Sequence, residues 1–280
     1  MNTVTYNGTP LIYREGGSGD PTWSEKTWNG FTYILGHSVW TDGENIYYSS
    51  GSNNQYVLDK STSTWSPKTW NGYTSFTGST IWTDGENIYM SHQSYYQYVL
   101  DKATSTWVPK TWNGYTGIHG EYVWTDWENI YYSNGNNQYV LNKATSTWSA
   151  KTWSGLTSFY GSNVWTDGEN IYYSNSLQDS QYVLNTATST WTTKTWNGYT
   201  DIRGYYVWTD GENIYYSLGS TQYILDKATS TWSLNTWGDI TSLEGHLVWN
   251  DGKNIYYSFG DTQYVLGKTM PSRFAIYYNP

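Results

Sequence analysis

Large apolar and aromatic side chains fall in runs of four to six, separated by short polar turns, and the same run recurs along the chain. Val164-Trp165-Thr166-Asp167-Gly168-Glu169-Asn170-Ile171-Tyr172-Tyr173-Ser174 is one copy, and others begin at Val39, Ile81, Val123, Val207 and Val248. Their tryptophans, Trp40, Trp82, Trp124, Trp165, Trp208 and Trp249, stand 42, 42, 41, 43 and 41 residues apart. A period of that size marks one supersecondary unit copied around a ring or along a solenoid.

Read from Gly78, a unit holds four strand-like pieces. Strand a is Ser79–Thr83, followed by the turn Asp84-Gly85-Glu86-Asn87. Strand b is Ile88–Ser91, then comes a short variable loop. Strand c is Gln97–Asp101, and Lys102-Ala103-Thr104-Ser105 turns into strand d, Thr106–Trp112. Val, Ile, Tyr, Trp and Thr bounded by Gly, Asn, Asp and Ser are strand signals, and no segment has helical periodicity. Ile171-Tyr172-Tyr173 and Tyr182-Val183-Leu184 lack apolar/polar alternation, so these strands are covered on both faces. A two-sheet sandwich would alternate. Four short antiparallel strands per unit, stacked on both sides, predict an all-β propeller.

Unit order predicts how the ring closes. Strand-d tryptophans stand at Trp23, Trp65, Trp107, Trp148, Trp191 and Trp232, and a third set follows at Trp28, Trp70, Trp112, Trp153, Trp196 and Trp237. Only Trp127 lies outside the three sets. The first d segment precedes the first a, and the last a-b-c group, Val248–Leu266, has no d after it. The expectation is therefore six four-stranded antiparallel blades, with Thr22–Trp28 pairing beside Gln263–Leu266 and the last blade shared by both termini. The alternative has Phe274–Tyr278 as the last d strand and a seventh, incomplete blade. Residues 20–280 read as this single domain. Residues 1–19 stand apart as an N-terminal extension: a hairpin turning at Asn7-Gly8, then Gly16-Gly17-Ser18-Gly19 as a joint.

With these residues in view, the unit resembles a kelch repeat. The likeness rests on Asp42, Gly43, Ile46 and Tyr47, then on Tyr56, Leu58, Asp59, Thr62, Thr64 and Trp65, and covers about Pro21 to Leu266. It departs at the kelch double glycine, which here is Ser49-Ser50, Ser91-His92 or Ser133-Asn134. The resemblance implies a propeller that binds proteins; the copper enzymes of that family use a cysteine, which this chain lacks. The wording Tyr-Val-Leu-Asp-Lys-Ala-Thr-Ser-Thr-Trp also looks like repeat arrays of bacteriophage tail-associated proteins, or like a consensus design.

Composition narrows the function classes. Of 280 residues, 20% are aromatic and 13% charged, with 19 Trp and 31 Tyr, which is core material and not a disordered composition. The formal net charge of −9 carries no basic stripe, so nucleic acid and an acidic membrane surface are not expected partners. Absence of Cys removes disulfides, thiolate metal sites and cysteine nucleophiles. No stretch has the form of a signal peptide or a bilayer span, so a soluble protein is expected, in a virion or extracellular setting if the phage likeness holds.

Comparison between units locates the candidate site. The a–b and c–d turns hardly change, whereas the b–c loops and the residues leading into strand a vary in length and chemistry. Antiparallel order puts both variable connections on one face, the usual layout of a binding surface; unconstrained drift would leave the same pattern. The predicted ligand-binding residues on that face are His37, Tyr95, Tyr96, His119, Glu121, Tyr122, Tyr160, Arg203, Tyr205, Tyr206, Glu244 and His246. Tyrosines suit stacking on a sugar or packing on a protein. His37 and His246 share a repeat position in blades that closure makes neighbours, with Glu244 nearby. That set has the donors for Zn²⁺ but no ligand-pair spacing, so neither a metal nor another cofactor is expected. Glu121, Asp201 and Glu244 are the carboxylates that a glycosidase would use. The reading favoured by this pattern is a non-enzymatic module, monomeric or within a larger assembly, that takes a glycan or protein on its variable face. A ligand-free structural repeat and a glycoside-acting enzyme are the alternatives.

Overall fold

The structure is a computed structural model that describes residues 5–6, 9–10, 21–50, 53–76, 79–92, 96–175 and 180–267. Thr5–Tyr6 pairs antiparallel with Thr9–Pro10; the turn residues Asn7 and Gly8 lie outside the described residues. From Trp23 to Leu266 the chain forms a six-bladed β-propeller. In the second blade strands a to d are Ser79–Thr83, Ile88–His92, Gln97–Asp101 and Thr106–Pro109, each antiparallel to the next.

The repeated wording of the a–b turn has a direct physical cause. One oxygen of Asp84 accepts the backbone N–H groups of Glu86 and Asn87 at 3.0 and 2.7 Å, and the other accepts the Tyr89 hydroxyl at 2.9 Å. Asp, Asn and Tyr therefore satisfy one another locally, and all three recur in every blade. Leaving any such buried group unpaired costs about 1–3 kcal/mol.

Closure uses both ends. Trp23–Glu25 is the d strand of the last blade, pairing antiparallel with Thr262–Leu266 in the register Trp23↔Leu266. That edge is filled, so the seven-blade alternative is excluded; Phe274–Tyr278 lies outside the described residues.

Strand d needs correction. It ends at Pro109 and not at Trp112, and the residues after it, Asn113–Gly114, run parallel to the d strand of the next blade as a fifth, outermost strand. The same outer strand forms at Asn29–Gly30, Asn71–Gly72 and Asn197–Gly198. Glycine is required at these sites: a Cβ on Gly114 would lie 2.2 Å from the Trp148 carbonyl oxygen.

The core lies between blades. Each interface holds three tryptophans, one from strand a of one blade, one from strand d of the next, and one from the segment linking them. Trp28, Trp65 and Trp249 are such a set, with ring centroids 5.9–6.0 Å apart. A lysine caps five of the six sets: Lys68 sits 4.6 Å over the Trp70 ring and donates to the Ser105 hydroxyl at 3.0 Å. These sets take in every periodic tryptophan, all of them buried except Trp40, which is partly buried.

Candidate functional site

Five of the strand-a lead-ins are single turns of 3₁₀ helix: Gly36–Ser38, Gly120–Tyr122, Gly161–Asn163, Gly204–Tyr206 and Gly245–Leu247. In the second blade strand a starts directly at Ser79. The turns pack in succession around the mouth of the ring. Their glycines set the spacing. A Cβ on Gly161 would sit 2.1 Å from the Tyr122 carbonyl oxygen, and one on Gly245 would sit 2.1 Å from that of Tyr206. Backbones of neighbouring blades therefore touch here, and in the third, fourth and fifth blades the second and third residues of the turn line the mouth, whereas Leu247, third in the last turn, is 2% exposed.

Three consecutive turns border an open hollow of about 400 Å³, lined by Glu121, Tyr122, Ser162, Asn163, Arg203, Tyr205 and Tyr206. Arg203 lies 3.8 Å from Asp201, a loose ion pair with both side chains partly exposed. Tyr122 is pushed up to about 12, first by burial and then by its hydrogen bond to Glu121 and that carboxylate's charge. Tyr205 also rises to about 12, through burial and then the charges of Tyr206, Glu121 and Glu244. Both phenols stay protonated at any physiological pH and act as neutral hydrogen-bonding rings.

At the seam between the first and last blades, the His37 and His246 rings stack at 6.1 Å, and His246 stacks on Tyr205 at 5.0 Å with planes 21° apart. Burial, and then the neighbouring His37, pulls His246 down to about 4. Burial lowers His37 as well and raises Glu244, whose carboxylate lies 3.5 Å from His246 Nδ1. Neutral imidazoles are the resting state here, so the mouth's formal charges are Glu121, Asp201 and Glu244 against Arg203.

The predicted residues thus separate into groups. Glu121, Tyr122, Arg203, Tyr205 and Tyr206 meet in the hollow. His37, Glu244 and His246 stand behind it at the seam. Tyr160, 45% exposed, packs on Tyr122 at 5.5 Å and does not line the hollow, and His119 contacts the same ring at 6.1 Å. Tyr96 projects from the b–c loop of the second blade and does not line the hollow; Tyr95 lies outside the described residues. Ser162 and Asn163 line the hollow but were not among the predicted residues. The signal for them was positional: they occupy the turn positions of Tyr205 and Tyr206, while their small polar side chains pass as filler.

A second hollow, of about 470 Å³, opens among turn residues that include Glu212, Asp226 and Lys227. Its residues belong to the a–b and c–d wording that the blades repeat. Such a hollow is a by-product of the scaffold, and the smaller one carries the individuality of this chain. Among the described residues no three His, Asp or Glu side chains group as a metal site, and no helix is long and apolar enough to cross a membrane.

No protein-family profile matches the sequence, and a search of curated proteins finds no match. Among solved structures the chain is similar to the extracellular domain of the one-component system BT4673 from B. thetaiotaomicron, at 14% identity and a TM-score of 0.50. That likeness covers 81% of this chain and 33% of the other. It is also similar to PorZ, a bacterial surface component of the type-IX secretion system of Porphyromonas gingivalis, at 12% identity and a TM-score of 0.51. Here 92% of this chain and 40% of the other are covered, so the chain spans well under half the length of both neighbours. At these identities the likeness is one of fold.

Proposed function

We propose that this propeller is a non-enzymatic binding module that takes a saccharide in the hollow at its variable mouth. The observation that carries the reading is the convergence of Tyr122, Tyr205 and Tyr206 with Glu121, Asn163 and Arg203 on one hollow of about 400 Å³. Tyrosine rings match the C–H faces of a sugar, and a carboxylate, an amide and a guanidinium match its hydroxyls. A few convergent polar groups in an aromatic concavity are the default signature of a ligand site. A protein loop is the second ligand class, favoured by the kelch likeness.

Binding is favoured over hydrolysis on the carboxylates. A glycosidase flanks the scissile bond with two of them, and only Glu121 lines the hollow, while Glu244 stands beyond Tyr205 and His246. An extracellular or virion setting suits a saccharide reader, and both structural neighbours are extracellular or surface proteins. A glycan array run with the wild type, Tyr122→Ala and Tyr205→Ala tests the reading. The expected result is a defined set of oligosaccharides lost in both variants. Binding to none, or binding that both variants keep, refutes it; product release from a bound oligosaccharide, abolished by Glu121→Gln, would point to an enzyme instead.

A further inference from the structure

Resting on the saccharide reading, we infer that the ligand carries a free amino group, so that the mouth selects an ammonium-bearing sugar of the glucosamine type over its neutral or N-acetylated counterpart.

The charges around the hollow favour a cation. Glu121 lines it, held by the Tyr122 hydroxyl. Glu244 lies one ring behind, next to His246, which stacks on Tyr205. The one cation in the lining, Arg203, is offset by Asp201 at 3.8 Å. Around the hollow three carboxylates, Glu121, Asp201 and Glu244, stand against the single guanidinium of Arg203.

An acidic ligand is repelled by this field, and a neutral one gains nothing from it. A cation gains twice: from the carboxylates, and from the electron-rich faces of the tyrosines, which attract ammonium groups within about 6 Å. Tyr122, Tyr205 and Tyr206 come from turns two blades apart and face one space beside Glu121. That combination sets aromatic rings and a carboxylate around the same ligand space. Arg203 then serves as a hydrogen-bond donor to ring hydroxyls, a role that its partial neutralisation by Asp201 permits.

The test is calorimetric titration of glucosamine oligomers and their N-acetylated equivalents at about pH 6, where a sugar amine is charged and His246 is not. The expected result is roughly tenfold tighter binding of the amino form, weakened as salt rises. Glu121→Gln should erase that preference, and Glu121→Asp, which keeps the charge and guards against a folding artefact, should retain most of it. Equal or tighter binding of the acetylated form overturns the inference and leaves the saccharide reading standing. Binding of neither oligomer overturns the inference, and with no other saccharide bound on the array it overturns the saccharide reading as well.

Discussion

His246 stacks face to face on Tyr205, with ring centroids 5.0 Å apart, while the His37 ring lies 6.1 Å away across the seam of the ring. Burial makes a charged His246 imidazole costly, and the neighbouring His37 adds to that cost. His246 therefore titrates at about 4 in the folded chain against an ordinary 6.5.

A pH dependence follows. The unfolded imidazole takes up its proton first, so stability attributable to His246 is lost as pH falls from 6.5 towards 4 and changes no further below that. The side chain keeps 18% of its surface exposed, and with screening discounted the loss is about 1 kcal/mol, roughly 2–4 °C in Tm. His246→Phe keeps a ring against Tyr205 but cannot titrate. The Tm difference between wild type and variant should shift by that amount in the variant's favour between neutral pH and pH 4. Parallel melting curves across the range would remove His246 as the cause.

Trp23 is the residue on which closure depends. It is 2% exposed and meets Trp208 and Trp237, each at 5.9 Å, although it lies near the start of the described fold. Chain ends commonly fray unless tied down, and this one is tied by the register Trp23↔Leu266. Trp23→Ala should cost about 3–5 kcal/mol in urea denaturation, as a fully enclosed Trp such as Trp107 would. A loss below about 1 kcal/mol would show that the last blade does not need its N-terminal strand.

How far the sequence carried can be read from the same residues. Tryptophan spacing disclosed the period, the blade and the Trp23 closure, because packing between identical neighbours forces identical side chains. The outer Asn113–Gly114 strand was missed because two residues carry too little pattern for a strand, and its parallel partner lies a whole unit away. The variable face was visible as disagreement between copies. Which of its residues converge was not, since that depends on the 3₁₀ turns and on the close backbone approach at Gly161 and Gly245. Ser162 and Asn163 gain their place from that geometry and from nothing in their chemistry.

Trp127 stands where five other blades have glycine, and its backbone follows theirs, with φ of 75° against 82–92°. The side chain is 50% exposed. A non-glycine residue pays about 1–2 kcal/mol in the left-handed region, partly offset by the greater freedom of glycine in the unfolded chain. Trp127→Gly should therefore stabilise the protein by about 1 kcal/mol in chemical denaturation. A loss of stability would mean that the exposed indole makes a contact worth more than the strain.

The interface between the fifth and sixth blades lacks the lysine that caps the other five tryptophan sets. Asn235 occupies its place: its backbone N–H donates to the Gln222 carbonyl at 2.8 Å, as that of Lys68 donates to Gln55 at 2.7 Å. Its side-chain nitrogen is buried without a partner, and Trp237 below is 8% exposed where Trp70 is 4%. Asn235→Lys would set an ammonium over the Trp237 ring and remove the unpaired amide. It would not recover the hydroxyl acceptor, because Pro21 stands at the position of Ser63 and Ser105. The gain should accordingly be the cation–π part alone, about 0.5–1 kcal/mol, read as a higher urea midpoint with unchanged slope. An equal rise in Asn235→Leu would assign the gain to apolar cover of Trp237 and not to the charge.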